Sequence, residues 1–231
     1  MTRALAVVVS GIVVIALAGC GGFPTAGPTP TGVTDSATAT VTPSATPLAQ
    51  PRLSDLVVTP DGFGPFHIGS PVAEQQASIA VAIWNPTECS PDAGSDGAGA
   101  WVAQYPPETW LHGPAREPFT FASAQMTSPV LLMTIWSPQL RTAAGIGVGS
   151  TLAELQAAYP SLTRVAGGTT DLYVLPGEVG QLVFDVPTDA STDVSMWTPG
   201  DLGKVAWMYL EQRGKQPFSI ANSDGGVSCN P

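Results

Sequence analysis

The sequence predicts an α+β fold, with two tandem repeats that each pack a short helical element on an antiparallel sheet. Three observations carry this. Phe66–Glu74 aligns with Ile146–Glu154 at a constant offset of 80 residues, with Gly, Ser, Ala and Glu identical. Each copy runs from a short alternating strand through Gly-Ser into a helix start signal. Each is then followed by β-branched and aromatic runs between Gly- and Pro-rich gaps.

The helix starts have a physical basis. Thr151-Leu152-Ala153-Glu154 has the form of a capping box, a hydroxyl at the N-cap and a carboxylate at N3. Leu152, Leu155 and Tyr159 fall on one helical face, and Pro160 ends the run. In the first copy Ser70 is placed to cap and Pro71 to occupy N1, where a missing N–H costs nothing. Glu74 and Glu154 therefore read as helix-terminal residues rather than catalytic acids. Strands are expected at Trp101–Ala103, Phe119–Phe121 and Val130–Trp136, then at Leu172–Leu175, Leu182–Val186 and Val205–Leu210. The first repeat is assigned to residues 52–141 and the second to residues 142–231.

The N-terminus reads as an address. Arg3 precedes an uncharged apolar run, Ala4 to Ala18, that ends in small residues, as in a secretory signal peptide over residues 1–19. The run is shorter than the roughly 20 residues that span a bilayer core. Leu17-Ala18-Gly19-Cys20 resembles the lipobox of bacterial lipoproteins. That resemblance implies acylation of the Cys20 thiol and a lipid-anchored domain on the extracytoplasmic face of the cell membrane. A plain signal peptide or an uncleaved N-terminal helix is the alternative. Residues 20–51 then form an expected tether, holding six Pro and eight Thr between residues 21 and 51 with Asp35 as the one charge. Such a stretch has too little apolar surface to offset its ordering entropy. Its threonines beside prolines suit O-linked sugar or a bare spacer.

Charge narrows the partners. The net charge is −10, from 8 basic and 18 acidic residues. No basic surface is available to displace counterions from nucleic acid, nor a polybasic patch for anionic lipid. Beyond Cys20 there are two cysteines, Cys89 and Cys229. In an exported chain two leftover cysteines most simply pair, with two free thiols as the alternative. Neither lies near a His or another Cys at ligand spacing, so no metal or cofactor is expected.

No catalytic constellation emerges. The chain has no Gly-x-Ser-x-Gly, no P-loop and no His-Glu-x-x-His. His67 alternates with Phe66 and Ile68 and so reads as a solvent-facing strand position, while His112 reads as loop. Asp185, Asp189 and Asp193, like Asp92 and Asp96, recur every four residues but lack the glycine and closing Glu of a calcium loop. Trp84, Trp101, Tyr105 and Trp110 cluster in a Pro/Gly-rich region. Core packing accounts for such a cluster. So does a partner surface built from Trp101, Tyr105 and Trp110, since Trp and Tyr are enriched at binding hot spots.

The two repeat openings, Asp61–Gly69 and Thr142–Ser150, give the chain a resemblance to tandem α+β domains of the β-lactamase-inhibitor-protein type. They also look like segments of actinobacterial envelope lipoproteins. The resemblance implies a fold; it carries over no binding residue. The expectation is a non-enzymatic, membrane-anchored binding or interaction module for an unknown protein, glycan or small-molecule ligand. Inhibition of a secreted or envelope enzyme, and acid-pair hydrolysis of envelope polymers, are the alternatives.

Overall fold

The computed structural model describes residues 49–72, 80–86, 99–109, 115–188 and 197–219. Thr46–Pro231 form a compact unit, and both hydrophobic clusters in it are drawn from residues between Leu53 and Phe218. The signal peptide, Cys20 and the tether up to residue 48 lie outside the described residues, as do Glu74, Cys89, Trp110, His112 and Cys229.

The described chain begins with a 3-10 turn at Leu53–Asp55 and a small antiparallel meander. Its strands are β1 (Val58–Thr59), β2 (Gly62–Phe63) and β3 (Phe66–His67). The strands β4 (Ala82–Asn85), β5 (Gly99–Ala103), β6 (Glu108–Thr109), β7 (Ala115–Arg116), β8 (Phe119–Ser123) and β9 (Leu132–Ile135) follow. Helix α1 (Leu152–Ala158) precedes β10 (Thr163–Ala166), β11 (Thr170–Pro176), β12 (Gly180–Pro187) and β13 (Trp207–Gln212). Strands β6 and β7 form a separate hairpin.

Eight strands make one antiparallel sheet, in the order β10-β11-β12-β13-β9-β8-β5-β4. Two meanders meet at β13 and β9, where Met208 pairs with Ile135 and Glu211 with Leu132. The inner strands are buried on both faces: all positions of β8, β9 and β12 are inaccessible. Covered on both sides, a strand needs no polar alternation, so these segments read as near-continuous apolar runs.

The first face carries Phe119, Phe121, Met133, Ile135, Leu182, Phe184, Met208 and Leu210. The β1–β3 meander and α1 cover it, through Phe63, Phe66 and the fully buried Leu155. Phe66 lies 4.6 Å from Phe121 and Phe63 lies 5.1 Å from Phe119, both tilted or edge-on, an arrangement that suits the ring quadrupoles. The second face carries Leu132, Val183, Trp207 and Tyr209 under Trp136, Trp197 and Phe218. Arg116 stacks 5.0 Å above the Trp136 ring.

The structure corrects the expected architecture. It is mostly β, and its sheet is continuous across the assigned boundary at residues 141 and 142, with residues of both halves in each core cluster. It is not a repeated α+β arrangement of two helix-on-sheet units. The physical reason is the β9–β13 ladder, which turns two meanders into one sheet with shared cores. Only one α-helix, α1, occurs among the described residues. The Pro71 helix start leads into residues outside the described set, after a 3-10 residue at Val72.

The two similar segments do sit alike on that sheet. Gly69 N–H donates to Val130 O and Val130 N–H to Ser70 O; Gly149 N–H donates to Val205 O and Val205 N–H to Ser150 O. Both glycines are left-handed, at φ +80° and +87°, a conformation that side chains with a Cβ rarely adopt. The similarity thus marks two equivalent docking turns rather than two domains. The six expected strands are present: β5, β8 and β9, then β11, β12 and β13, each within a few residues of its expected bounds. α1 carries the capping box as read, with Thr151 and Glu154 exchanging both bonds.

One carboxylate ties the N-terminal meander to the far sheet. Asp61 accepts from the backbone N–H of Glu178, Val179 and Gly180 at 3.1, 2.8 and 2.8 Å. A Cβ on Gly180 would land on the Pro60 carbonyl, so glycine there permits the approach. Burial opposes ionisation of Asp61, but the three N–H groups outweigh it and hold its pKa below the usual carboxylate range. The folded state therefore binds the Asp61 proton less well than the unfolded chain. Its contribution is complete above the ordinary Asp pKa of about 4 and is lost as pH falls through the lowered value. Asp61→Ala is expected to lose about 1–3 kcal/mol in urea unfolding at pH 7, because three donors lose a charged acceptor. The difference from the parent chain should shrink at pH 3.

Candidate functional site

One cleft opens on the second sheet face. After β13 the chain turns at Arg213–Lys215 and runs back over the sheet as a strap to Ser219. Four polar anchors hold the strap. Tyr209 Oη donates to Phe218 O at 2.7 Å and accepts from Phe218 N–H at 2.8 Å. Thr170 Oγ1 donates to Ser219 Oγ at 2.8 Å, and Ser219 Oγ donates to Asp185 at 3.2 Å. Gln181 Nε2 donates to Lys215 O at 2.9 Å and to Glu211 Oε1 at 2.8 Å. Gly214 N–H donates back to Gln181 Oε1 at 3.1 Å.

These anchors lie on β11, β12 and β13. An open cleft of about 300 Å³ remains, lined by Thr163, Val165, Val174, Pro176, Gln181 and the strap residues Arg213, Gly214, Lys215 and Pro217. Register sets its floor, because Thr163 pairs with Val174 and Pro176 with Gln181 on the same face. The floor is apolar and the rim is basic. Arg213 is held by its bond to Gly177 O at 2.9 Å. The Lys215 side chain is exposed, and its ammonium makes no ion pair among the described residues.

Glu211 lies beneath this rim and is 3% exposed. Burial raises its pKa, against the opposing bond from Gln181 and the charge of Lys215. Burial likewise pushes the Tyr209 hydroxyl far above its ordinary value, which keeps it a neutral donor.

Two further clefts are built differently. One, of about 580 Å³, lies between the Ala144–Ser150 turn and α1. Its charged groups are committed: Arg141 donates to Pro138 O and Gly145 O, and Glu154 closes the helix cap. The other, of about 410 Å³, lies between Gln50–Leu53 and Tyr105–Glu108. There Glu108 accepts from Ser137 and Gln139.

Of the residues expected to form a partner surface, Trp101 and Tyr105 are described and both pack in the first core, and Trp110 lies outside the described residues. Trp101 is 6% exposed, inside the first-face core, with its ring 5.6 Å from Trp84 in edge contact. It does not present its indole at the surface. Strand β5 is an interior strand of the sheet, which is why a Trp in an apparently loop-rich region is core. Tyr105 is half-buried beside the third cleft, and its hydroxyl donates to Pro51 O at 2.9 Å. His67 is exposed between buried Phe66 and Ile68. Asp185 is fully buried and accepts the Trp207 indole N–H at 3.0 Å, so it is a core acceptor rather than a metal ligand. Asp92, Asp96, Asp189 and Asp193 lie outside the described residues. No group of three metal-ligating side chains occurs among the described residues.

The sequence reading missed Val165, Val174, Arg213 and Lys215. Arg213-Gly214-Lys215 reads locally as a basic turn, and only the strap's return places it over β10 and β11. Glu211 provides a test of this environment. Its raised pKa means the folded state takes up a proton as pH falls, so stability falls as pH rises from about 4.5 through the raised value. Glu211→Gln keeps the acceptor for Gln181 and removes the buried charge. It should be more stable than the parent at pH 7.5, with the difference shrinking toward pH 4.5 in parallel urea titrations.

No family model matches the chain, and no curated protein matches it. Among solved structures it is similar to the crystal structure of the uncharacterized protein yfeY from Escherichia coli, at 12% identity, covering 68% of this chain and 99% of that one with a TM-score of 0.36. A likeness that loose describes a distant structural neighbour and carries no functional argument.

Proposed function

We propose that this chain is an extracytoplasmic lipoprotein, anchored through acylated Cys20, whose folded unit acts as a binding module rather than an enzyme. The observation that supports binding is the use of the ionisable groups around the clefts. Glu154 and Glu108 serve a helix cap and a loop, and Arg141 serves backbone carbonyls. Catalysis needs a group within reach of the reacting atom with its proton-transfer capacity free, whereas these carboxylates spend theirs on structure. What stays open is shallow, partly apolar surface, which suits recognition.

The anchor and the module are tested separately. In cells fed an alkyne-tagged fatty acid, the parent chain is expected to be labelled and to fractionate with membranes. Cys20→Ser should abolish labelling; an equally labelled variant would overturn the anchor. Cross-linking in native envelopes, read by mass spectrometry, is expected to capture a saturable partner or ligand. Recovery of folded but wholly uncross-linked protein at saturating reagent counts against the module.

A further inference from the structure

The cleft between the strap and β10 has a composition that defines a ligand class. Its floor is Val165, Val174 and Pro176, with Pro217 as one wall. Its rim holds Arg213 and Lys215, two of the 8 basic residues in a chain of net charge −10. Nowhere else among the three clefts does a lysine side chain meet an apolar floor. In a protein this acidic, anions are repelled from most of the surface, so a basic rim over an apolar floor discriminates by charge.

We infer that this cleft binds an anionic amphiphile, a small molecule with one carboxylate-type head and an apolar body. The body lies along Val165 and Val174, and the head meets Lys215, with Arg213 beside it. The volume of about 300 Å³ is about ten times the share of one water molecule in the liquid, which sets a body of about ten non-hydrogen atoms. Arg213 is already oriented by Gly177 O, so little side-chain freedom is lost when an anion arrives. Glu211 is the opposing charge. It is 3% exposed beneath Gln181, and its negative form weakens the field of Lys215.

This inference rests on the reading of the folded unit as a binding module and names the ligand of one site in it. Its test uses residues 46–231, which carry both core clusters, titrated with sodium decanoate below its micelle concentration and followed by amide NMR. The expected result is saturable shifts confined to residues 163–176 and 213–217. Lys215→Glu should bind decanoate about tenfold more weakly with the spectrum otherwise unchanged. Glu211→Gln should bind it more tightly. Neutral 1-decanol and the cation decyltrimethylammonium should bind more weakly than decanoate. Equal binding of the three probes, an unchanged affinity in Lys215→Glu, or no shifts in a well-dispersed spectrum overturns the inference. Any of these leaves the binding-module reading to be decided by capture in envelopes.

Discussion

The ladder between β9 and β13 is the interaction on which the rest of the molecule depends. It is four residue pairs long and joins strands about 75 positions apart in sequence. Each strand buries side chains on both faces. Met133, Ile135, Met208 and Leu210 point into one core, and Leu132, Trp207 and Tyr209 into the other. Opening the ladder exposes both cores at once, so neither meander keeps a closed interior without the other. The coverings follow from it. A sheet apolar on both sides requires two layers, and the β1–β3 meander with α1 supplies one while the strap and the Trp197 segment supply the other.

Local features were legible in the sequence because local chemistry determines them. The α1 cap is read from Thr151 and Glu154, whose bonds span three residues. The strands are read from β-branched and aromatic runs, and their bounds hold within a few residues. The two Gly-Ser turns are read from their similarity, and their shared backbone bonds explain it. The global arrangement was not legible, because the same similarity fits two separate units or two turns on one sheet. What distinguishes them is the pairing of β9 with β13, and an edge-to-edge ladder between buried strands leaves no pattern that a self-contained sheet would lack.

The site was illegible for a related reason. For Trp101 the sequence leaves core and partner surface both open, and the structure decides for core because its strand pairs with β4 on one side and β8 on the other. Lys215 carries no local signal, and its place in one cleft with Val165 depends on Gln181 catching the strap from 34 residues away. Asp61, in Pro-Asp-Gly, reads as a turn residue, but its partners are 117 to 119 positions downstream. Long-range polar contacts of this kind reveal themselves only when the chain is folded.

The start of the folded unit has a mechanical consequence. Gln50 Nε2 donates to Ala80 O and Gln104 O at 3.0 and 2.7 Å, and Pro51 O accepts from Tyr105. Tension arriving through the preceding chain meets these three bonds first. They come from two side chains and give way singly, like the teeth of a zip. Beyond them the pull reaches Leu53 and Leu56, buried in the first core, then β1, whose Val58 N–H is bonded to Arg141 O, and then the Asp61 clasp. The central ladder is the last element in that series. A pull from this end is thus expected to loosen the margin of the unit before it reaches the sheet.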